Sequence, residues 1–505
     1  MSASEEANSI AEAGQSMSRV SFLAAGKWIG GAGETIRSVN PATGAVNAEI
    51  GTPGSAEIDE IVRLADAARR APAWRDMLPH VRARLLSKVA DAIDARADAL
   101  ARLQMLENGK VMSECRAQVA SAAATFRYYA GVCETVESAV TPARGKYWSM
   151  TVYEPMGVVL AVTPWNSPLT MEAQKLAPAL AAGNAVILKP SEVTPSPALE
   201  LGRICCDVGI PPGIVSVLPG TGLAVGLPLA KHPLVRMISF TGGTATGRML
   251  AGVAAERLIP AALELGGKSP HIVFADAHLE AATKDIISGI FLSTGQSCVA
   301  GSRLFVERPI HERLLALLSE KTRQLRVGLP DGEGAQLGPL ASFPHRERVE
   351  RFVARARADG GVVALGGGRP ADASLSAGAF FQPTIITDLD NRATVCQEEI
   401  FGPILCVLPF EDEADLIAQA NDSVYGLASG IWTADYQRAW RVARALEAGT
   451  VWINTYKQLS ISTPFGGFKE SGYAREKGIG GMRLYQQVKS LYWGMEAPLA
   501  NESRQ

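Results

Sequence analysis

The stretch FLSTGQSCVAGSR, residues 291–303, sets one cysteine, Cys298, among small and hydroxylated residues, with glycines at 295 and 301. A thiol in such company is either a nucleophile or one more buried, inert cysteine, and the stretch alone does not decide. A second candidate is Glu264 in AALELGGKSP, at the end of an apolar strand and followed by two glycines. A carboxylate there is costly unless it is solvated or working, and a pKa raised by burial suits a general base. KPSE, Lys189 to Glu192, puts a cation and an acid just after another apolar run. In a nucleotide fold an acid there accepts hydrogen bonds from the adenosine ribose and repels a 2′-phosphate, while Lys189 donates to the same ribose. The alternative is a surface Lys/Glu pair at a turn. TGGTATG, Thr241 to Gly247, opens a helix with three glycines. Its N–H groups and dipole suit a pyrophosphate, although the spacing departs from G-x-G-x-x-G.

These groups need a frame. From Gly157 onward short apolar runs (GVVLAV, AVILK, IVSVL, RMISF, AALEL) alternate with helical segments such as TMEAQKLAPALAAGN and TATGRMLAGVAAE. That alternation predicts βαβ units and a parallel sheet buried on both faces. Ligands of such a sheet bind beyond the carboxyl ends of its strands. TPWNS, KPSE, PGTG and TGGTATG stand at four such ends. The N-terminal third reads as amphipathic helix, with apolar residues every three or four positions in EIDEIVRLADAARRAPAW, HVRARLLSKVADAIDARADALARLQMLENGK and AQVASAAATFRYYAGVCETV.

A chain of 505 residues suggests about three domains and a large core. With 20% charged residues and a formal net charge of −2, nothing points to nucleic acid or an anionic membrane. The seven cysteines show no CxxC pair or regular spacing, which argues against a disulfide framework or a metal site and suits a reducing cytoplasm. Residues 1–15 are acidic and lack an apolar core, so they read as a loose tail and not a signal peptide. The longest uncharged run, 208–230, carries four prolines and five glycines and is not a membrane span.

TPWNSP, KPSEVTP, FTGGTATG, LELGGKSP, GQSCVAGSR, EEIFGP, NDSVYGLASGIWT, WINTY and PFGGFKESGYAREKG occur in the order and spacing of the aldehyde dehydrogenase superfamily. The chain resembles that family over about residues 25 to 495, and many short motifs together make the likeness specific. The resemblance implies an α/β fold with a Rossmann-like cofactor domain, an α/β catalytic domain and a β oligomerisation arm. Its expected bounds are a disordered tail over 1–18, an NAD-binding domain over 19–135 and 156–263, an arm over 136–155 and 481–497, and a catalytic domain over 264–480. It implies oxidation of an aldehyde to the acid with NAD, NADP being disfavoured by Glu192. Cys298 is similar to the nucleophile, Asn166 to the oxyanion donor and Glu264 to the base that activates water. Lys175 and Glu476 match positions near the site that support proton transfer. Trp165, Lys189, Ser191, Glu192, Gly222, Gly242, Gly243, Thr244, Gly247, Glu399 and Phe401 fall along the cofactor path. Ser167, Met171, Gln174, Ser297, Val299, Leu459 and Phe465 fall around the substrate. The arm implies a homodimer or homotetramer.

Departures bear on the substrate. Ser167, Gln174 and Leu459 stand where aromatic residues are frequent in the family, and Ser293 and Thr294 precede Gly295 in place of the usual N-x-G-Q or Q-G-Q lead. An aromatic cage for a quaternary ammonium, as in betaine aldehyde, is therefore poorly supported. A bulkier, oxygenated or ring-bearing aldehyde fits better, with Lys457 as a partner for an acidic tail. A CoA-acylating semialdehyde dehydrogenase, which typically lacks the glutamate, and a non-catalytic protein on the same fold are the alternatives.

Overall fold

The computed structural model describes residues 19–495; the expected tail 1–18 and positions 496–497 of the expected arm lie outside the described residues. Five parallel strands form the centre of the first sheet in the order Ala261–Glu264, Val235–Thr241, Val158–Val162, Ala185–Lys189, Val215–Val217. Their apolar runs are buried on both faces, as the sequence predicts. The strand order reverses direction between Val158–Val162 and Val235–Thr241, and the crevice beyond those two carboxyl ends is where such a sheet takes a ligand.

The edges depart from the sequence reading. The N-terminal third is not helical from its start: residues 19–50 hold five short strands, of which Phe22–Ala24 pairs antiparallel with Val215–Val217 and with Lys27–Ile29. Strands of two to five residues show no periodicity; most pair with one another, and Phe22–Ala24 alone of the five ties them to the main sheet. At the other edge Gly472–Tyr473, from far along the chain, pairs antiparallel with Ala261–Glu264. The helices Ser55–Arg70, Pro79–Ala95 and Met112–Thr135 follow, each burying a stripe that includes Ile58, Val62, Leu86, Ile93, Val119 and Phe126 in the same core as the sheet. The helix Pro168–Ala181 is buried on every side, and that burial takes in Glu172, Gln174 and Lys175. A helix buried all round is normally apolar, so these polar groups need partners or purposes.

A second sheet of seven strands, from Pro270–Val273 to Thr450–Ile453, is parallel except at the Val362–Leu365 edge. Residues 265–269 carry the chain from one sheet to the other. A third, antiparallel sheet pairs Gln486–Gly494 with Tyr147–Pro155 over nine positions and adds Val140–Thr141. It leaves Trp148, Val488, Tyr492 and Trp493 exposed. Among the described residues no helix is long and apolar enough to cross a membrane.

Arg303 locks the crossing to the second sheet. Its side chain is buried, and it donates from Nε to the Lys268 carbonyl (3.0 Å), from Nη1 to Asn391 Oδ1 (3.0 Å) and the Gln419 carbonyl (3.2 Å), and from Nη2 to the Ala420 carbonyl (2.8 Å). Arg303→Met strands these acceptors. We expect a loss on the order of 3 kcal/mol, read as a thermal midpoint several degrees lower. An unchanged midpoint would show that the four bonds are dispensable.

Candidate active site

The cysteine loop is held in an unusual backbone. Ser293 (φ 61°), Thr294 (φ 52°) and Gly295 (φ 70°) are left-handed in succession. A Cβ at Gly295 would lie 2.1 Å from the Gly402 carbonyl oxygen, so only glycine fits. Gln296 pins the turn: its N and Nε2 donate to the Ser293 carbonyl (3.0 and 3.3 Å), and its Oε1 accepts from Ala341 N (2.8 Å). On the far side of Cys298, the Tyr456 hydroxyl donates to the Val299 carbonyl (3.0 Å), with its ring stacked on His271 at 4.4 Å. Strain of this kind persists only where surrounding contacts over-determine it.

Cys298 is half-buried and unpaired. Burial pushes its thiol up to about 12; the neighbouring Glu399 and Glu264 add to this, and Lys477 and Lys457 oppose it. Glu264 is buried, and neither carboxyl oxygen has a hydrogen-bond partner. Burial first, then Glu476, holds its pKa well above the usual range, with Lys175, Arg475 and Lys477 opposing. Asn166 turns its Nδ2 onto the carbonyl of Gln296 (3.1 Å), two residues before the cysteine. Lys175 Nζ pairs with Glu476 Oε1 at 2.8 Å and donates to Ser239 Oγ (3.1 Å), which meets the Tyr485 hydroxyl at 2.9 Å.

Two cavities meet at this point. One of about 290 Å³ is lined by all seven residues expected around a substrate, Ser167, Met171, Gln174, Ser297, Val299, Leu459 and Phe465. Glu476 also lines it. The other, about 160 Å³, is lined by Trp165, Gly242, Gly243, Glu399 and Phe401. Asn166, Met171, Thr241, Glu264, Leu265 and Cys298 border both. The cysteine and the carboxyl therefore stand where an occupant of one cavity meets an occupant of the other.

The remaining candidates lie at neighbouring strand ends. Lys189 reaches Glu192 Oε2 at 3.5 Å, and Ser191 Oγ accepts from Val193 N (3.3 Å). Gly222 begins a π-helical turn capped by the Thr221 side chain. Gly243 caps the helix that starts at Thr244. Gly247 is a close-approach position, where a Cβ would lie 2.4 Å from Leu265 Cδ2. Glu399 accepts from Gly267 N at 3.0 Å, and burial raises it to about 7. Trp165 packs edge-on to Phe401 (5.2 Å) and His345 (5.3 Å). Lys457 does not join the substrate-side lining; its Nζ donates to the Ser288 carbonyl (3.3 Å).

Sequence reasoning passed over Gln296, Gln118, His345, Arg348 and Lys477. Gln118 Nε2 donates to Ser167 Oγ (3.0 Å), which makes Ser167 part of a polar wall. His345 and Arg348 line the smaller cavity from Phe343–Ala358, a charged helix that reads as solvated. Two of these carried a signal: Gln296 lies two residues before the cysteine, and Lys477 lies within PFGGFKESGYAREKG, next to Glu476.

A parallel sheet with a ligand crevice, a strained cysteine loop and an unpartnered carboxyl between two cavities are the features of an α/β enzyme site built around a thiol and a carboxyl. Residues 28–491 match the aldehyde dehydrogenase family. The chain is 41% identical over 473 residues to betaine aldehyde dehydrogenase 1 of Rhizobium meliloti, covering 92% of this chain and 96% of that one. It superposes on a Bacillus cereus aldehyde dehydrogenase solved with NAD+ (TM-score 0.93, 35% identity, 98% and 99% of the two chains). It superposes equally on a Staphylococcus aureus betaine aldehyde dehydrogenase solved with NAD+ (TM-score 0.93, 34% identity, 96% of each chain). This chain belongs to the aldehyde dehydrogenase family and is an aldehyde-oxidising enzyme.

The raised thiol makes a prediction. Below its pKa the thiolate fraction grows about tenfold per pH unit, so without cofactor the rate of Cys298 alkylation by iodoacetamide should climb from roughly pH 7 to roughly pH 10. Peptide mapping reads the site directly. A plateau below about pH 8 would mean a thiol lowered, not raised, by its surroundings.

Proposed function

We propose that the enzyme oxidises a bulkier, oxygenated or ring-bearing aldehyde to its acid with NAD in preference to NADP, through Cys298 and Glu264. The observation that carries this is the junction of the two cavities at a thiol and a buried carboxyl with no partner. The smaller cavity fits a dinucleotide's reactive end: Thr241 Oγ1 is buried there without a partner, and Glu399 and Trp165 border it. NAD, when bound, supplies the hydride acceptor. Cys298 attacks the aldehyde carbon as its proton passes to Glu264, and the oxyanion is held by the Asn166 amide and the Cys298 N–H. Loss of hydride from the thiohemiacetal leaves a thioester. Glu264, returned to the carboxylate once the thiol's proton has passed on to the Lys175–Glu476 pair, then takes a proton from the water that attacks the thioester, and the acid leaves as the Cys298 sulfur is released. The Lys175–Glu476 pair lies within the electrostatic reach of Glu264 and provides the next acceptor for that proton. Water is favoured over CoA as the acyl acceptor because Glu264 is present to activate it.

Lys189, Ser191 and Glu192 take the adenosine ribose, and the turns at Gly222 and at Gly242, Gly243 and Thr244 take the phosphates. Glu192 is half-exposed at the mouth of the path, where a 2′-phosphate would meet its charge. Among the described residues Phe465 is the single aromatic in the substrate-side lining, too little for a trimethylammonium cage of the kind a betaine aldehyde calls for. The segments 19–135 and 156–263 form the cofactor domain, 264–480 the catalytic domain, and the exposed three-stranded sheet an arm that joins a homodimer or homotetramer. Seven free thiols suit a reducing cytoplasm.

Cys298→Ala should abolish aldehyde oxidation and leave NAD binding nearly intact, while Glu264→Gln should slow deacylation so that an acyl-enzyme accumulates in the mass spectrum. Near-normal turnover of the Ala variant would sink the mechanism. For cofactor choice, Glu192→Ser should lower the kcat/KM ratio of NAD to NADP, by roughly 1–3 kcal/mol for one like-charge contact. An unchanged ratio would remove Glu192 from the ribose site.

A further inference from the structure

Lys477 is an unassigned cation in the substrate-side wall. Its backbone is left-handed, φ 64° and ψ 172°, which a non-glycine residue adopts only when clamped. The clamp is visible. Phe465 N donates to the Glu476 carbonyl (2.9 Å), Glu476 N to the Phe465 carbonyl (2.8 Å), and Gly478 N to the Ile461 carbonyl (2.8 Å). The side chain is 7% exposed, and its ammonium stands 5.1 Å from the centroid of the Phe465 ring. Within the described residues no hydrogen bond or ion pair is made by that ammonium. Glu476, the adjacent acid, is already paired with Lys175 at 2.8 Å.

An ammonium carries three donors, and a ring face satisfies none of them as a carboxylate would. A nearly buried cation in this state is costly unless a ligand completes it. Lys477 borders the same cavity as Cys298 and Glu264, and Lys457 is turned away onto Ser288. Across that cavity Ser167 and Gln118 offer further hydrogen-bonding groups. We propose that Lys477 receives an anionic group at the far end of the aldehyde, so that carboxylate-bearing aldehydes are the favoured substrate class. This rests on the reading of Cys298 as the nucleophile. It narrows that reading to one charge type, and the same cation repels a cationic aldehyde.

The competing role is general: Lys477 favours the Cys298 thiolate electrostatically, which would aid every aldehyde alike. Substrate pairs separate the two. Wild-type kcat/KM for 4-formylbenzoate should exceed that for its methyl ester by about tenfold or more, with the same order for a straight-chain ω-carboxy aldehyde against its ester. Lys477→Met should erase that ratio, and Lys477→Arg should restore part of it. A wild-type ratio near one, or equal losses on acid and ester in the Met variant, overturns the proposal. Protection of wild-type Cys298 from iodoacetamide gives a measurement free of folding effects: terephthalate should protect and terephthalamide should not, and equal protection counts against the subsite. Failure of the wild type to oxidise any aldehyde, charged or neutral, would instead overturn the underlying reading.

Discussion

Two successive residues without side chains make the site possible. Where the chain crosses between the sheets, a Cβ at Gly266 would lie 2.3 Å from Glu399 Oε2, and one at Gly267 would lie 2.5 Å from the Cys298 carbonyl oxygen. The crossing thus admits the carboxylate on one side and the cysteine loop on the other at backbone distance, and Gly267 N–H holds Glu399 in place. A later segment closes over it: Leu265 N donates to the Ser471 carbonyl (3.0 Å), and Ser471 Oγ to the Gly266 carbonyl (2.6 Å). Gly466 comes so near Glu264 that a Cβ there would stand 2.8 Å from Oε1. Backbone thus closes over Glu264 on the side away from the cavities, which contributes to its burial.

That enclosure sets the electrostatics. Burial moves Glu264 and Cys298 in the same direction, each holding its proton more tightly than in water. A thiol kept protonated at rest is a poor nucleophile and a poor target for oxidants. In the proposed mechanism reactivity is then conditional. Only the ionised form of Glu264 can take the thiol's proton, and that transfer is favoured only once an aldehyde stands ready to take up the sulfur's charge and the Asn166 amide to receive the oxyanion. A preorganised donor costs no reorganisation at that moment.

The parallel strands were legible because strands covered on both faces must be continuous apolar runs, as AVILK is. Cys298, Glu264 and Asn166 were legible through the company of motifs, since no single one of them carries a spacing signal. The short strands within 19–50 and the pairing of Gly472–Tyr473 beside Glu264 were not, because the segments are too short for periodicity, and the pairings that join Phe22–Ala24 and Gly472–Tyr473 to the main sheet bring together stretches far apart in the chain. Lys457 shows the limit most sharply. Both it and Lys477 follow family motifs, but the side-chain directions that send one to Ser288 and the other over Phe465 depend on tertiary contacts absent from either stretch. His345 and Arg348 are invisible for the same reason: a helix rich in arginine and glutamate reads as solvated until Trp165 and Phe401 are found beneath it.

The helix Pro168–Ala181 then accounts for how the parts stay in register. Asn166 and Ser167 stand at its start, so the amide donor sits near the positive end of the helix dipole, where a developing oxyanion is favoured. Gln174 and Lys175 follow about two turns on, one in the substrate wall and the other paired with Glu476. Because that helix is buried on every side, it cannot slide without opening the core of the first sheet. The Lys175–Glu476 pair in turn fixes the segment that carries Lys477, so Asn166, Glu476 and Lys477, the proposed oxyanion donor, proton acceptor and substrate-facing cation, are all referred to one rigid element. Removing one half of a buried pair typically costs about 3–5 kcal/mol because the other charge is left uncompensated, so the positions of Lys175 and Glu476 are tied to each other.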